Sequence, residues 1–182
     1  MANGCQAQTT TRSSARHPTA IDVCLLFCDL KDFTTFAERH GDAAAITAAS
    51  RFAHVMVDER GEHGRVVKDL GDGAMLVYQE AAEAVAAWRR FRAAMDGSGA
   101  LALHGGMHQG VVVRREADYF GGAVNLAARL LALAGSGELL ATQAAVDRAS
   151  GADTWMALGS HKLRGLRAEV EIYRLDDAAR LA

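Results

Sequence analysis

Two periodicities alternate along the chain, and the points where one gives way to the other divide it into elements. From Ile21 to Leu30 the sequence is almost continuously apolar (Val-Cys-Leu-Leu-Phe-Cys at its centre) and ends at Asp29, which predicts a central strand buried on both faces. Apolar residues then recur at helical spacing, at Phe33, Phe36 and Ala37 and again at Ile46, Phe52, Val55 and Met56. They predict helices over 32–40 and from 42 to about 59, with Asp42 as N-cap of the second. Val66-Val67 and Ala74 to Tyr78 flank the triplet Gly71-Asp72-Gly73, the pattern of a β-hairpin. An alanine-rich helix carrying Val85, Trp88 and Phe91 is expected over 81–95, stopping at Gly97-Ser98-Gly99. Strand character resumes from Ala100 to Gly110 and, after a glycine break, from Val111 to Arg114. A polar loop, a helix over 122–133, a strand over 138–141, a helix over 143–149 and strands near Trp155 and over 170–175 complete the reading.

The order strand, helices, strand, strand, helix, strand is that of an α+β, ferredoxin-like βαββαβ sandwich with an antiparallel sheet core. Helices are expected on one side of the sheet, and further strands and helices at the C-terminus. A chain of 182 residues that is 50% hydrophobic suits one domain, placed at 21–176 between a mobile leader (1–20) and a short tail (177–182). A formal net charge of −2 supplies no basic field, which argues against nucleic acid or an acidic membrane as partner. No apolar run is long enough to span a bilayer and no signal-peptide pattern opens the chain, so the expected compartment is cytoplasmic. Three cysteines fit no disulfide framework, and Cys24 and Cys28, inside the first strand, are expected to be core residues.

Candidate chemistry gathers at three places. Asp29 closes the first strand and Asp72 sits at the hairpin tip, where the expected fold brings strand ends together. Paired carboxylates without soft ligands suit Mg²⁺ or Mn²⁺. Lys68, four residues before Asp72, either neutralises it or serves a different site. Asn125 and Arg129 share one face of the helix that follows Gly121-Gly122, with Asp118 just ahead; an amide and a guanidinium so placed can orient a sugar and brace an anion.

Phe27-Cys28-Asp29-Leu30-Lys31-Asp32-Phe33-Thr34, Lys68 to Gly73 and Asp118 to Leu130 together resemble the catalytic domain of class III nucleotide cyclases, specifically the adenylate cyclases. The likeness runs from about Ile21 to Leu175, and Lys162-Leu163-Arg164-Gly165-Leu166 with Val170-Glu171-Ile172-Tyr173 is similar to the family's closing hairpin. The resemblance implies that Asp29 and Asp72 bind two metal ions, that Lys68 and Asp118 read the purine, that Asn125 positions the ribose and that Arg129 stabilises the pentavalent transition state. It implies formation of cyclic AMP and pyrophosphate from ATP, at composite sites of a head-to-tail homodimer in which one chain supplies the aspartates and the other the remaining four residues.

The base assignment has independent chemical support. Lys68 can only donate and an ionised Asp118 can only accept, which matches the N1 acceptor and N6 amino donor of adenine. Guanine reverses that pattern, and each mismatched buried polar group costs about 1–3 kcal/mol. No side chain in these motifs is an obvious general base, which leaves solvent or a substrate phosphate to take the 3′-hydroxyl proton. One residue departs from the family pattern: Asp32 stands where glycine is usual and is expected to cap the following helix. Lys162, Arg164 and Arg167 are candidate triphosphate contacts, whereas His104 and His108 are read as structural. The rival readings are an inactive cyclase-like nucleotide-binding module and a guanylate cyclase.

Overall fold

The computed structural model describes residues 19–96, 101–149 and 151–177. Most of the expected leader, the end of the tail and the Gly97-Ser98-Gly99 stop lie outside them. Thirteen elements follow one another: β1 (Thr19–Leu30), α1 (Phe33–His40), α2 (Asp42–Asp58), β2 (Arg65–Asp69), β3 (Gly73–Tyr78), α3 (Ala81–Met95), β4 (Leu103–Arg115), β5 (Asp118–Phe120), α4 (Gly122–Leu133), β6 (Leu139–Thr142), α5 (Gln143–Val146), β7 (Trp155–His161) and β8 (Val170–Leu175). The sheet runs β2-β3-β1-β4-β6-β8-β7, with β5 paired to β4. Its first four strands have the expected ferredoxin-like order. All pairings are antiparallel except β4 with β6.

β1 is central because both of its faces are apolar. Cys24, Leu26, Cys28 and Leu30 point into one core with Phe52 and Met56 of α2 and Val85, Trp88 and Phe91 of α3. Val23, Leu25 and Phe27 point the opposite way, into a second core with Met75, Val77, Tyr119 and Ala127 of α4. Helices therefore cover both faces, not one: α4 packs behind the sheet. It comes so close that a Cβ at Gly106 of β4 would lie 2.4 Å from the Ala127 carbonyl oxygen and 2.2 Å from the Leu131 nitrogen. Only glycine allows that approach.

Four local expectations are corrected. Gly110 does not break its strand, because β4 runs unbroken through it to Arg115, held along its length by β1. The presumed polar loop contains β5, which folds back on β4 as a hairpin. Helix α5 is a single turn, and Gly41, not Asp42, occupies the N-cap of α2. Cys24 and Cys28 are free and fully buried, and burial pushes both thiols up in pKa, away from reactivity.

Candidate active site

β1 ends at a junction that three neighbouring segments build. Asp29 stands opposite Gly73 of β3 on one side and His104 of β4 on the other. The Leu30 amide donates to the Asp72 carbonyl at 2.9 Å, which ties the β2–β3 turn to the end of β1. Asp29 and Asp72 thereby line one cleft of about 320 Å³, together with Lys31, Asp32, His104 and the first residues of α1. The two carboxylates expected to share cations are thus brought together.

The electrostatics of this cleft are those of a site short of positive charge. Burial and then the Asp72 carboxylate raise Asp29 from 3.8 to about 6, against the opposing pull of the Leu30 amide and Lys31. Asp29 Oδ1 is buried and has no hydrogen-bond partner. An unsatisfied buried oxygen on a carboxylate is costly, and a hard divalent cation would satisfy it. Among the described residues no group of three or more His, Cys, Asp or Glu is placed to hold a metal. Two carboxylates with open space beside them leave coordination positions free for substrate oxygens, so the residues fit Mg²⁺ or Mn²⁺.

His104 is the member of this cleft that sequence reasoning missed. Its Nε2 lies 3.9 Å from Asp29 Oδ2 and its Nδ1 3.2 Å from the Ala134 carbonyl at the end of α4. Burial, helped by Lys31, lowers its pKa. Only the register that sets Asp29 against His104 reveals the contact, and no local motif encodes it. His108 is structural as expected, bonded through Nδ1 to Thr142 Oγ1 at 2.7 Å.

Asp32 occupies the N-cap position of α1 but does not cap it. Its backbone is left-handed, at φ 59°, and its side chain makes no capping hydrogen bond. The left-handed conformation explains why glycine suits the position, and Asp32 is one of the residues that line the cleft. The first amides of α1 consequently lack an intrahelical partner on the side where the cleft opens.

The second pair is also formed. Lys68 Nζ lies 3.0 Å from Asp118 Oδ2, with its ammonium 5.9 Å from the Phe120 ring centre. Asp118 Oδ1 accepts the Tyr119 amide at 2.7 Å. Desolvation works against ionisation of Asp118, but these bonds outweigh it and hold the carboxyl below its ordinary range. Lys68 therefore pairs with Asp118, not with Asp72. Asp118 opens on a different cleft, lined by Arg115 to Asp118 and Phe120.

Asn125 and Arg129 lie one turn apart on α4, Asn125 exposed and Arg129 half-buried. Arg129 Nη1 is buried without an acceptor. Neither residue lines the Asp29–Asp72 cleft, nor do Lys68 and Asp118. In the β7–β8 turn Lys162 Nζ is bonded to the Arg167 carbonyl at 3.2 Å, and none of Lys162, Arg164 and Arg167 lines that cleft either.

A ferredoxin-like sheet with an acidic pair at the end of its central strand, flanked by α4 behind and a β7–β8 hairpin beyond, is the fold of the class III adenylyl and guanylyl cyclase catalytic domains, and the chain has that fold. Among solved structures, the adenylyl cyclase CyaB of P. aeruginosa superposes with a TM-score of 0.76 at 19% identity, over 88% of this chain and 96% of that one. The guanylate cyclase domain of RhGC from Catenaria anguillulae, in complex with GTP, gives 0.69 at 16% identity, over 85% and 96%. Among curated proteins, the uncharacterized protein Rv2212 of Mycobacterium tuberculosis is 34% identical over 164 residues, 85% of this chain and 41% of the relative. A second Mycobacterium tuberculosis protein, named pH-sensitive adenylate cyclase, is 29% identical over 164 residues, 87% of this chain and 41% of the relative. The chain spans about 41% of the length of these two relatives. No protein-family model matches it. Among the described residues no helix is long and apolar enough to cross a membrane.

Proposed function

We propose that the chain is an adenylate cyclase, forming 3′,5′-cyclic AMP and pyrophosphate from ATP at sites shared between two copies. The observation that carries this reading is the cleft at the end of β1, where Asp29 and Asp72 crowd their charges together and Asp29 keeps a buried oxygen without a partner. Those two residues would hold Mg²⁺ or Mn²⁺, two ions per site. When bound, the ions would supply activation of the ribose 3′-hydroxyl and neutralisation of charge on the departing pyrophosphate.

The chain's own residues account for the rest of the reaction. The N-terminal amides of α1 face the same cleft and suit phosphate oxygens. Lys68 donates to adenine N1 and Asp118, held ionised, accepts from the N6 amino group. Their side chains are 39% and 33% exposed, so a base edge can reach them. Asn125 would orient the ribose and Arg129, whose Nη1 lacks an acceptor, would take the charge that develops on the α-phosphoryl oxygens. Because the acidic pair and the base-reading pair open on separate clefts of one chain, a two-fold dimer would unite them across its interface and make two equal sites.

Incubation of the protein with Mn²⁺ or Mg²⁺ and either ATP or GTP, followed by chromatography of the product, tests the activity and the base together. Cyclic AMP is expected. Cyclic GMP in excess would transfer the reading to a guanylate cyclase, and binding without product to a nucleotide-binding module. In the same assay Lys68→Ala and Asp72→Ala proteins should each be inactive and regain part of the activity on mixing. Failure to recover, with subunit exchange verified, would overturn the shared site.

A further inference from the structure

The β7–β8 turn is fastened to α4 at two points. Leu163 is buried in a small core with Leu130, Ala134, Leu140 and Ile172, and Leu166 packs against the same cluster beside Leu126. The Leu166 amide donates to the Leu163 carbonyl at 3.1 Å, which closes the turn between the two anchors. Gly165 sits inside that closed turn with φ 76°, directly over the Arg129 side chain. A Cβ at this position would lie 3.1 Å from Nη1, 3.1 Å from Nη2 and 3.6 Å from Cζ. The guanidinium thus lies where a side chain at residue 165 would stand.

Arg129 needs such a seat. Its side chain has several rotatable bonds, and its Nη1 has no acceptor among the described residues to fix it. No hydrogen bond or ion pair of Arg129 is formed among the described residues, so packing alone selects its rotamer. A guanidinium held by packing, with its donors unspent, is ready to meet an incoming anion without first breaking a bond.

We infer that Gly165 is a positioning residue for Arg129: the turn anchored by Leu163 and Leu166 holds a surface without a side chain against the guanidinium and sets where its donors point. The inference rests on the proposed role of Arg129 in the reaction. Two features of residue 165 serve this purpose together, since the left-handed backbone gives the turn its shape and the missing Cβ leaves room for the fork. A methyl group there would require the guanidinium to give way by a few tenths of an ångström. Displacements of about 1 Å at a reacting centre cost roughly 10²-fold in rate.

The test is a double-mutant cycle of Gly165→Ala and Arg129→Ala on the whole chain, reading kcat and KM for cyclic nucleotide formation from Mn-ATP. Gly165→Ala should lower kcat about 3- to 10-fold with KM changed less than about twofold. In the Arg129→Ala background the same substitution should change kcat less than about twofold, because its target is gone. A Gly165→Ala protein with unaltered kcat, or with the same loss in both backgrounds, would overturn the inference. Full activity of Arg129→Ala alone would instead overturn the role of Arg129, so the two failures are separate. An NMR readout that does not depend on turnover accompanies these rates. The Arg129 Nε–Hε resonance, identified by its absence in Arg129→Ala, should move in Gly165→Ala, and an unmoved resonance counts against the seat. Should melting show that Gly165→Ala does not fold, Gly165→Asn carries the same Cβ on a residue that tolerates a left-handed backbone, and its kcat decides.

Discussion

Asp29 illustrates how this fold sets stability against chemistry, and Asp29→Asn measures the conflict. The carboxyl is raised from 3.8 to about 6 by burial and by Asp72. Because the raised value belongs to the folded state, folded protein binds the proton more tightly than unfolded protein does. Stability therefore falls as pH rises from about 3.8 to about 6, and the full penalty is present at neutral pH. The shift converts to about 3 kcal/mol at most. The side chain keeps 32% of its surface exposed, and solvent screening reduces that figure to about 1–2 kcal/mol.

Replacing Asp29 by Asn removes the charge and retains the side chain's shape. In chelator at about pH 7.5 the variant should be more stable than the native protein by about 1–2 kcal/mol, or roughly 2–4 °C in Tm per kcal/mol. At about pH 4 the two should nearly coincide, since Asp29 is then protonated in the folded state. Mn²⁺ should reverse the order: native protein gains RT ln(1 + [Mn²⁺]/Kd), about 2.7 kcal/mol at a hundredfold excess over Kd, and the variant gains little. Thermal melts at both pH values with and without Mn²⁺ supply all the terms. An Asn variant that is destabilised equally at both pH values, or that keeps the full Mn²⁺ increment, would refute the account of Asp29 as a strained cation ligand.

Two further substitutions probe the chain's own departures and choices. Asp32→Asn keeps a residue that tolerates the left-handed backbone and removes one negative charge from the cleft, so KM for ATP should fall several-fold with Tm little changed; an unchanged or higher KM would show that the carboxylate does not oppose the triphosphate. Lys68→Ala breaks a half-exposed ion pair and should alter stability by less than about 1 kcal/mol. Its preference for ATP over GTP, read as the ratio of the two dissociation constants because the variant does not turn over, should drop about tenfold or more, since one matched hydrogen bond to the base is lost.

What could be seen in the sequence follows from how local its physical cause is. The apolar run of β1 and the helical spacing of Val85, Trp88 and Phe91 are read within one element, and they gave the ferredoxin-like order correctly. The side of the sheet on which α4 packs depends on Gly106 meeting Ala127 across 21 positions of the chain, and no periodicity records that. His104 escaped for the same reason, because its contact with Asp29 exists only through the β1–β4 register. Asp32 was placed at the right position with the wrong role. The preference of Asp for N-caps is a statement about side-chain bonding from an extended backbone, and here the backbone is left-handed and the side chain makes no such bond.

Lys68 shows where strand arithmetic fails and why the failure matters. On a regular strand it would share a face with Asp72, four residues on, and the two charges would neutralise each other. β2 instead ends at Asp69, one residue after the lysine, and Asp72 lies in the turn, so the two-residue alternation does not reach it. In that turn the Gly71 amide is bonded to Asp69 Oδ1 at 3.0 Å and the Asp72 carbonyl accepts from the Leu30 amide, which carries Asp72 over the end of β1. Lys68 is left to Asp118. The turn after Asp69 thus keeps the ammonium and the acidic pair from cancelling, and each remains available to a different part of an extended, multiply charged substrate. Had the strand stayed regular, the ion pair most easily formed would have consumed both groups that the proposed reaction requires.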